Sequence, residues 1–174
     1  MREPSNNQQS ATVTIRQASS SDAHRLARLR YAFRSSLDQV NENQVNENEE
    51  SFVERCTPWM TERLQDSSIW KCWLAERDSL VVGNLWAHLI EKIPNPTLEP
   101  EHHAYITNLY VCEDCRGQGI GAMLLSAALL WVQTNDVHAV ILWPTERSRS
   151  LYQRHGFSAP EDLLELIEIN VART

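Results

Sequence analysis

The sequence predicts an α+β fold, in which a mixed, mostly antiparallel β-sheet is flanked by helices. Segments with strand-like composition and helix-like periodicity follow one another in the order βααβββαβαβ. Three strand-like segments in succession favour antiparallel pairing, whereas one later β-loop-α-β unit requires a parallel pair. With 174 residues, the chain is long enough to bury a hydrophobic core without metal or disulfide crosslinks.

Composition and charge narrow the classes of partner. The chain is 42% hydrophobic and 22% charged, and its net charge of −7 does not favour the basic surface that nucleic-acid binding needs. The longest apolar run, Ala122–Val132, is about half as long as a membrane span. The first ten residues hold no secretory signal, and the four cysteines do not resemble a disulfide framework. We therefore expect a cytoplasmic protein without nucleic-acid or membrane partners.

The N-terminal part passes from a polar segment into a strand and a helix. Residues 1–11 are expected to be flexible, and residues 12–174 to form a single domain. Thr12–Arg16 predicts the first strand. Ser19 and Asp22 have the spacing of a capping box at the start of the first helix. One face of that helix is apolar, at Leu26, Leu29, Phe33 and Leu37.

A tandem pentapeptide, QVNEN at 39–43 and again at 44–48, connects the first two helices. Two copies are too few for a repeat architecture, so we interpret the segment as a polar connection. Pro58 is expected to kink the second helix or to restart it with Thr57 as the cap. That helix is predicted over Glu49–Leu64, with apolar residues at helical spacing, namely Phe52, Val53, Cys56, Met60 and Leu64.

Two β-rich segments, 67–76 and 79–92, predict a hairpin whose turn is Arg77-Asp78. The tryptophans of these strands are interpreted as packing residues: Trp70, Trp73 and Trp86. A strand over 104–111 then runs into a glycine-rich loop.

The predicted β-loop-α-β unit is completed by a helix over 120–134 and a strand over 138–143. A short helix over 146–155 follows. Its ends carry residues suited to the N-cap and C′ positions, Thr145 and Gly156, and a final strand is predicted near Leu166–Val171.

The loop sequence CRGQGIGAMLL, residues 115–125, has three glycines in five positions and leads into a helix. Such a helix N-terminus offers free N–H groups and a positive dipole end to a phosphate. A P-loop is rejected, because Ala122 and Met123 follow Gly121 where a lysine and a hydroxyl residue are needed. A dinucleotide-binding fingerprint fits the glycines. However, no acidic residue ends the next strand, and the chain after the loop is too short for the second half of a dinucleotide-binding fold.

Arg116, Gly119 and Gly121 form an R-x-x-G-x-G motif directly after the strand ending LYV. A second motif, SLYQRHGF over Ser150–Phe157, lies further along the chain. On these two motifs the chain after residue 11 resembles the GNAT superfamily of acyl-CoA-dependent N-acyltransferases, whose signature is [QR]-x-x-G-x-[GA]. The resemblance implies that the fourth and fifth strands form a splayed parallel pair that holds acetyl-CoA, the cosubstrate.

Site residues follow from the resemblance position by position. The backbones of Leu109 and Val111 would line the pantetheine arm, with the Val111 N–H facing the thioester oxygen. Asn108, at the expected bulge of the fourth strand, would contact the acceptor. Tyr152 would protonate the departing thiolate as the catalytic acid. The diphosphate would be held by the loop and the first helical turn, at Arg116, Gly117, Gln118, Gly119, Ile120, Gly121 and Ala122.

Three features stay outside this pattern. Thr145 stands where the family often has asparagine, so we assign it no contact with the pantetheine arm. No general base is evident. Cys112 and Cys115 have metal-ligand spacing, but zinc would need two further ligands to converge, so we expect no metal.

The expected activity is transfer of an acetyl group from acetyl-CoA to a primary amine of a small molecule or peptide. The amine would attack directly in a ternary complex. The alternative is a non-catalytic acyl-CoA sensor with the same fold, and a homodimer is a further expectation. Acidic residues near the helix connection suggest a cationic acceptor, although they also fit a solvated loop: Asp38, Glu42, Glu47, Glu49 and Glu50.

Overall fold

A computed structural model describes residues 12–41, 47–66, 68–161 and 164. The chain divides into two compact units, Met1–Trp143 and Pro144–Thr174. Within the described residues, the first unit contains a five-stranded sheet and three α-helices, and the second contains one α-helix. Two predictions, flexibility over residues 1–11 and a final strand near Leu166–Val171, fall outside the described residues.

The elements of the first unit follow the predicted order. They are β1 (Val13–Gln17), α1 (Ala23–Asn41), α2 (Glu49–Gln65), β2 (Trp70–Arg77), β3 (Leu80–Glu91), β4 (His102–Val111), α3 (Ile120–Thr134) and β5 (Val137–Ile141). The sheet order is β1-β2-β3-β4-β5; all neighbours are antiparallel except the parallel pair β4–β5. This topology confirms the predicted α+β fold, because only the β4-α3-β5 connection is a crossover.

The two faces of the sheet bury different tryptophans. Trp73 contacts Trp131 of α3 with ring centroids 5.7 Å apart. Trp70 and Trp86 lie on the opposite face, where Trp86 joins the core formed with α1 and α2. Both helical layers therefore cover the sheet, and the predicted role of these tryptophans in packing is confirmed for Trp73 and Trp86, which are buried.

The start of α1 is held by an ionic network. The Ser19 N–H donates to the Asp22 carboxylate at 2.9 Å, as expected for a capping box. Both guanidinium Nη atoms of Arg16 donate to the same carboxylate at 2.8 Å, and one also donates to Glu76 at 2.8 Å. The Arg16 hydrogen bonds lower the pKa of the buried Asp22 carboxyl to about 2. This network ties β1 and β2 to the helix start.

Helix α2 is continuous across Pro58, so the prediction that the helix restarts at Thr57 is wrong. Asn48 caps the true start, where its side chain accepts from the Ser51 N–H at 2.9 Å. Thr57 is an interior residue, and its hydroxyl donates to the Val53 carbonyl at 2.7 Å. Burial of the apolar face against α1 and the sheet offsets the loss of the proline N–H.

The β2–β3 hairpin turns at Asp78-Ser79, one residue later than predicted. Arg77 pairs with Leu80, which leaves a two-residue loop with φ values of 52° for Asp78 and 65° for Ser79. Two-residue hairpins favour turns with positive φ at both positions, because this twist matches that of the strands. Arg77 consequently belongs to β2 and not to the turn.

Replacing Gly83 by alanine is expected to destabilise the sheet. Gly83 is buried, and an added Cβ would lie 2.8 Å from the Tyr110 carbonyl oxygen and 3.3 Å from a Leu124 methyl carbon. We expect Gly83→Ala to lower the free energy of unfolding by about 1–3 kcal/mol, measured by urea denaturation. Leu80→Ala, an exposed change on the same strand, should shift it by less than about 0.5 kcal/mol. Equal stability of the two variants would contradict the close contact.

The Asp22 network predicts a specific acid sensitivity. A carboxyl whose pKa is lowered in the folded state stabilises the protein above the unfolded pKa of roughly 3.9, and the stabilisation is lost as pH falls towards 2. We expect Asp22→Asn to remove about 1–2 kcal/mol of the pH dependence of unfolding free energy in this window. Asp78→Asn, in the exposed turn, should retain the wild-type slope. Identical slopes for all three proteins would refute the role of Asp22.

Candidate functional site

Strand β4 has a neighbour on one side over only part of its length. Its parallel pairing with β5 runs from His102 opposite Val137 to Tyr105 opposite Ile141, where β5 ends. Strand β4 continues to Val111. Within the described residues, the β5-facing edge of this second half therefore has no strand partner, as the predicted splay of the pair requires.

Strand β4 also carries the predicted bulge. On β3, Asn84 pairs with Tyr110 and Trp86 pairs with Thr107. Two β4 residues, 108 and 109, therefore lie opposite a single residue of β3. Asn108 has a φ of 52°, a left-handed conformation that asparagine tolerates better than most residues. The inserted residue brings the side chains of Thr107 and Tyr110 to the same face of the sheet, the face covered by α1 and α2.

Two side chains hydrogen-bond to the bulge residue Asn108. Asn84, which is fully buried, donates from Nδ2 to the Asn108 carbonyl at 3.1 Å. Arg30 of α1 donates to Asn108 Oδ1 at 3.0 Å. Sequence reasoning identified Asn108 but missed Asn84 and Arg30, because neither belongs to a motif. Their roles arise from the register of β3 and from where α1 crosses the sheet.

The end of β4 directs a backbone N–H into the open edge. The Cys112 N–H donates to the Val82 carbonyl at 2.9 Å, towards β3. Because successive residues of a strand direct their N–H groups to opposite sides, the Val111 N–H and C=O point away from β3. Arg116 Nε donates to that Val111 carbonyl at 3.0 Å, which pins the loop to the strand end.

The glycine loop forms an open helix start. Gly117 and Gly119 have φ values of 74° and 80°, a conformation that disfavours other residues. An added Cβ at either position would meet no atom of the described residues within 4 Å, so the space that they leave above both is open. The Met123 N–H donates to the Gly119 carbonyl at 3.1 Å, and this is the first backbone hydrogen bond of the helix. The preceding helical N–H groups lack helical carbonyl partners: those of Ile120, Gly121 and Ala122.

Two guanidinium groups lie beside this loop, and the helix that follows it starts without an acidic residue. The first turn of α3 contains no acidic residue. Arg116 pairs with Glu113 at 2.8 Å through Nη1, while its Nη2 is buried without a partner in the described part of the chain. Arg77 of β2, which the sequence did not single out, donates to Gln118 Oε1 at 3.1 Å and to Cys115 Sγ at 2.9 Å. The loop thus combines free amide donors, a positive helix end and two guanidinium groups.

A pocket of about 530 Å³ lies on the α1–α2 face of the sheet. It extends from the bulge across β3 and β2 to α2. Residues that line it include Arg30, Trp59, Trp70, Trp86, Tyr105 and Asn108. Asn108 therefore belongs both to the lining of this pocket and to the half of β4 that has no β5 partner.

The acidic residues near the α1–α2 connection are partly neutralised. Glu47 pairs with Arg55 at 2.6 Å, and Glu49 pairs with Arg28 at 3.0 Å. Glu42 lies outside the described residues. These two ion pairs reduce the negative field that the sequence suggested would attract a cationic acceptor.

The second unit contains α4 (Glu146–Arg154). Thr145 caps it as predicted, with its side chain accepting from the Ser148 N–H at 3.3 Å. Gly156 has a φ of 88°, which suits the predicted C′ position. Tyr152 is buried, and its ring centroid lies 5.7 Å from that of Phe157.

All four cysteines are free thiols. Burial raises the pKa of the Cys112 thiol, and the Sγ of Cys115 accepts from Arg77. Among the described residues, no cluster of three or more His, Cys, Asp or Glu side chains is arranged to hold a metal ion. None of the described helices has the length and apolarity needed to cross a membrane.

Solved structures share this architecture. A predicted acetyltransferase from Clostridium acetobutylicum, solved with acetyl-CoA, is 22% identical, with a TM-score of 0.74 over 90% of this chain and 96% of the other. A GCN5-related N-acetyltransferase from Ralstonia eutropha JMP134 is 24% identical, with a TM-score of 0.69 over 90% and 99% of the two chains. An aminoglycoside acetyltransferase from an uncultured soil sample, in complex with sisomicin, is 16% identical, with a TM-score of 0.65 over 90% and 95%.

No curated protein matches the sequence. Residues 37–157 match the model of the acetyltransferase (GNAT) family. This segment includes the bulged strand, the glycine loop and the helix with Tyr152, and it covers more than half of the chain. The chain therefore belongs to the GNAT acetyltransferase family, whose general chemistry is acetyl-CoA-dependent acyl transfer.

Proposed function

We propose that this protein transfers the acetyl group of acetyl-CoA to a primary amine of a small molecule or peptide, by direct attack in a ternary complex. One observation carries the proposal. The open N-terminus of α3 follows the end of β4, where β5 has ended and the Val111 N–H points into the unpaired edge. A helix N-terminus suited to a phosphate and an amide donor that points away from β3 thus occur in the same part of the family fold, and this supports the proposal.

The residues present fit acetyl-CoA. Its diphosphate would lie over Gly117 and Gly119, where open space and positive φ values leave the backbone amides accessible. The buried Nη2 of Arg116, which has no hydrogen-bond partner among the described residues, would be a further donor. The pantetheine arm would follow the backbone of Leu109 and Val111. The remaining diphosphate contacts are proposed at the backbones of Gln118, Ile120, Gly121 and Ala122.

When bound, acetyl-CoA supplies an acyl group already activated as a thioester. The Val111 N–H would donate to the thioester oxygen and stabilise the negative charge that develops there. Asn108 would position the acceptor amine at the bulge. A bond forms between the amine nitrogen and the acyl carbon while the C–S bond breaks and its electron pair remains on sulfur. The amine loses a proton, and the thiolate gains one.

Tyr152 is proposed as the proton donor to the thiolate. A phenol with a pKa near 10 can hydrogen-bond to or protonate a thiolate whose conjugate acid has a pKa of roughly 8.5. We assign no residue as the general base, and a chain of water molecules can accept the amine proton. The free cysteines are consistent with the proposed cytoplasmic setting. A homodimer also stays a prediction, which measurement of the native mass would test.

Substitution of Gly119 tests the diphosphate site. Gly119→Ala imposes a side chain on a left-handed residue, and Gly119→Asn tolerates that conformation but fills the open space. We expect both variants to raise the acetyl-CoA Kd by about 10-fold in calorimetry, equivalent to about 1.4 kcal/mol. Leu130→Ala, an exposed change further along α3, should leave the Kd unchanged. Wild-type affinity in both Gly119 variants would place the diphosphate elsewhere.

Replacement of Tyr152 separates catalysis from cofactor binding. We expect Tyr152→Phe to lower kcat for thiol release by about 10-fold or more, because it removes the proton donor, while the acetyl-CoA Kd is retained. Tyr31→Phe, whose hydroxyl donates to the Glu47 carbonyl in the first unit, is the matched control. An unchanged kcat in Tyr152→Phe would exclude the acid role. Tight acetyl-CoA binding without thiol release for a broad panel of amines would favour the acyl-CoA sensor.

A further inference from the structure

We infer that the pocket on the α1–α2 face accepts a small amine carrying a carboxylate on an apolar, aromatic body, which is the chemistry of a free aromatic amino acid. This inference rests on the proposed acetyl transfer and names the class of its acceptor. It depends on the charge, the hydrogen-bonding groups and the aromatic walls of this pocket, and each is independent of the cofactor loop.

The charge in the pocket is positive. Arg30 is half-buried on α1, and its guanidinium donates to the neutral amide oxygen of Asn108 at 3.0 Å. No carboxylate pairs with Arg30 among the residues that the structure describes. Removal of the guanidinium from water lowers its pKa. A half-buried guanidinium without a counterion is unfavourable. A ligand carboxylate would pair with the Arg30 guanidinium through two parallel hydrogen bonds.

Two further donors on residues that line the pocket have no acceptor among the described residues. Trp86 Nε1 and Asn108 Nδ2 are buried and have no hydrogen-bond partner in the described part of the chain. None of the described side chains that line the pocket is a carboxylate. The second guanidinium in the lining, that of Arg55, is already paired with Glu47. A ligand with carboxylate oxygens supplies the acceptors that these donors lack.

The walls of the pocket favour a flat apolar body. Trp59, Trp70 and Trp86 form a cluster with ring centroids 5.5, 6.0 and 6.2 Å apart. Tyr105 completes the lining from β4. Trp59 is 40% exposed although it belongs to this cluster, so its ring has apolar area that a ligand can cover.

The position of Arg30 places the amine beside the reactive edge. In an α-amino acid one carbon separates the carboxylate from the amine, so a carboxylate on Arg30 holds the amine near Asn108. Asn108 belongs to the same half of β4 as Val111, the half that has no β5 partner. Nitrogen–carbon bond formation and C–S cleavage then yield the N-acetyl amino acid and the free thiol of coenzyme A.

Matched acceptors test this assignment. Initial rates of thiol release are measured with L-phenylalanine, with 2-phenylethylamine, which lacks the carboxylate, and with the polycation spermidine. We expect kcat/KM for L-phenylalanine to exceed that for either other amine by at least 10-fold. In Arg30→Gln this preference should fall below about 3-fold, chiefly through a higher KM for L-phenylalanine. Arg28→Gln, an exposed change on the same helix, should keep the wild-type preference.

Binding provides a readout that does not require turnover. L-phenylalanine should change the intrinsic tryptophan fluorescence of wild type and Arg28→Gln, because Trp59, Trp70 and Trp86 line the pocket. The Kd for L-phenylalanine obtained from this titration should be at least 10-fold higher in Arg30→Gln than in wild type. Arg30→Lys should partly restore the affinity. Circular dichroism and thermal unfolding establish that each variant is folded before the comparison.

The outcomes separate this inference from the proposed function. Thiol release with 2-phenylethylamine or spermidine at a rate equal to that with L-phenylalanine overturns the acceptor class but supports acetyl transfer. Saturable fluorescence change with L-phenylalanine that depends on Arg30, without thiol release, supports the pocket and overturns the activity. Absence of both turnover and binding with L-phenylalanine overturns the inference.

Discussion

The structure depends on one strand having two unequal neighbours. Strand β4 pairs with antiparallel β3 along almost its whole length, but with parallel β5 only as far as Tyr105. Beyond that residue, the polar groups of its open edge need partners from outside the sheet. Arg116 supplies one by donating to the Val111 carbonyl, and the Val111 N–H remains available to a ligand. This unpaired edge is where the proposed cofactor site lies.

The bulge connects this edge to the pocket. The extra residue in β4 reverses which side chains face α1 and α2, and it brings Asn108 between the buried Asn84 and the Arg30 guanidinium. Both contacts hold a backbone conformation with positive φ, which the surrounding structure must stabilise. A substitution at Asn84 or Arg30 therefore acts on the geometry of β4 as well as on the pocket. The proposed acceptor side and the proposed cofactor side therefore share one structural support.

Local charge differs from the charge of the chain as a whole. The net charge is −7, yet the pocket is lined by arginines and by N–H donors. Glu47 and Glu49, which suggested a cationic acceptor, each contact an arginine. The net charge follows from the sequence, but the pairing of individual charges depends on the tertiary structure. Pairing decides which sign a ligand meets, because an ion pair has little field beyond its own neighbourhood.

Local patterns were sufficient for the order of elements, the cap at Thr145, the capping box at Ser19 and the loop of R-x-x-G-x-G, since each depends on residues close in sequence. They were insufficient where local preference competes with packing. Pro58 lies within a continuous helix because the apolar face of α2 is buried on both sides of it, and the hairpin turn is set by the register of its strands. The sequence by itself thus determined the fold class and the glycine loop. Only the tertiary structure decided that Arg30, Trp86 and Asn108 line one pocket, because residues from α1, β3 and β4 meet through sheet register and helix packing, which no local pattern encodes.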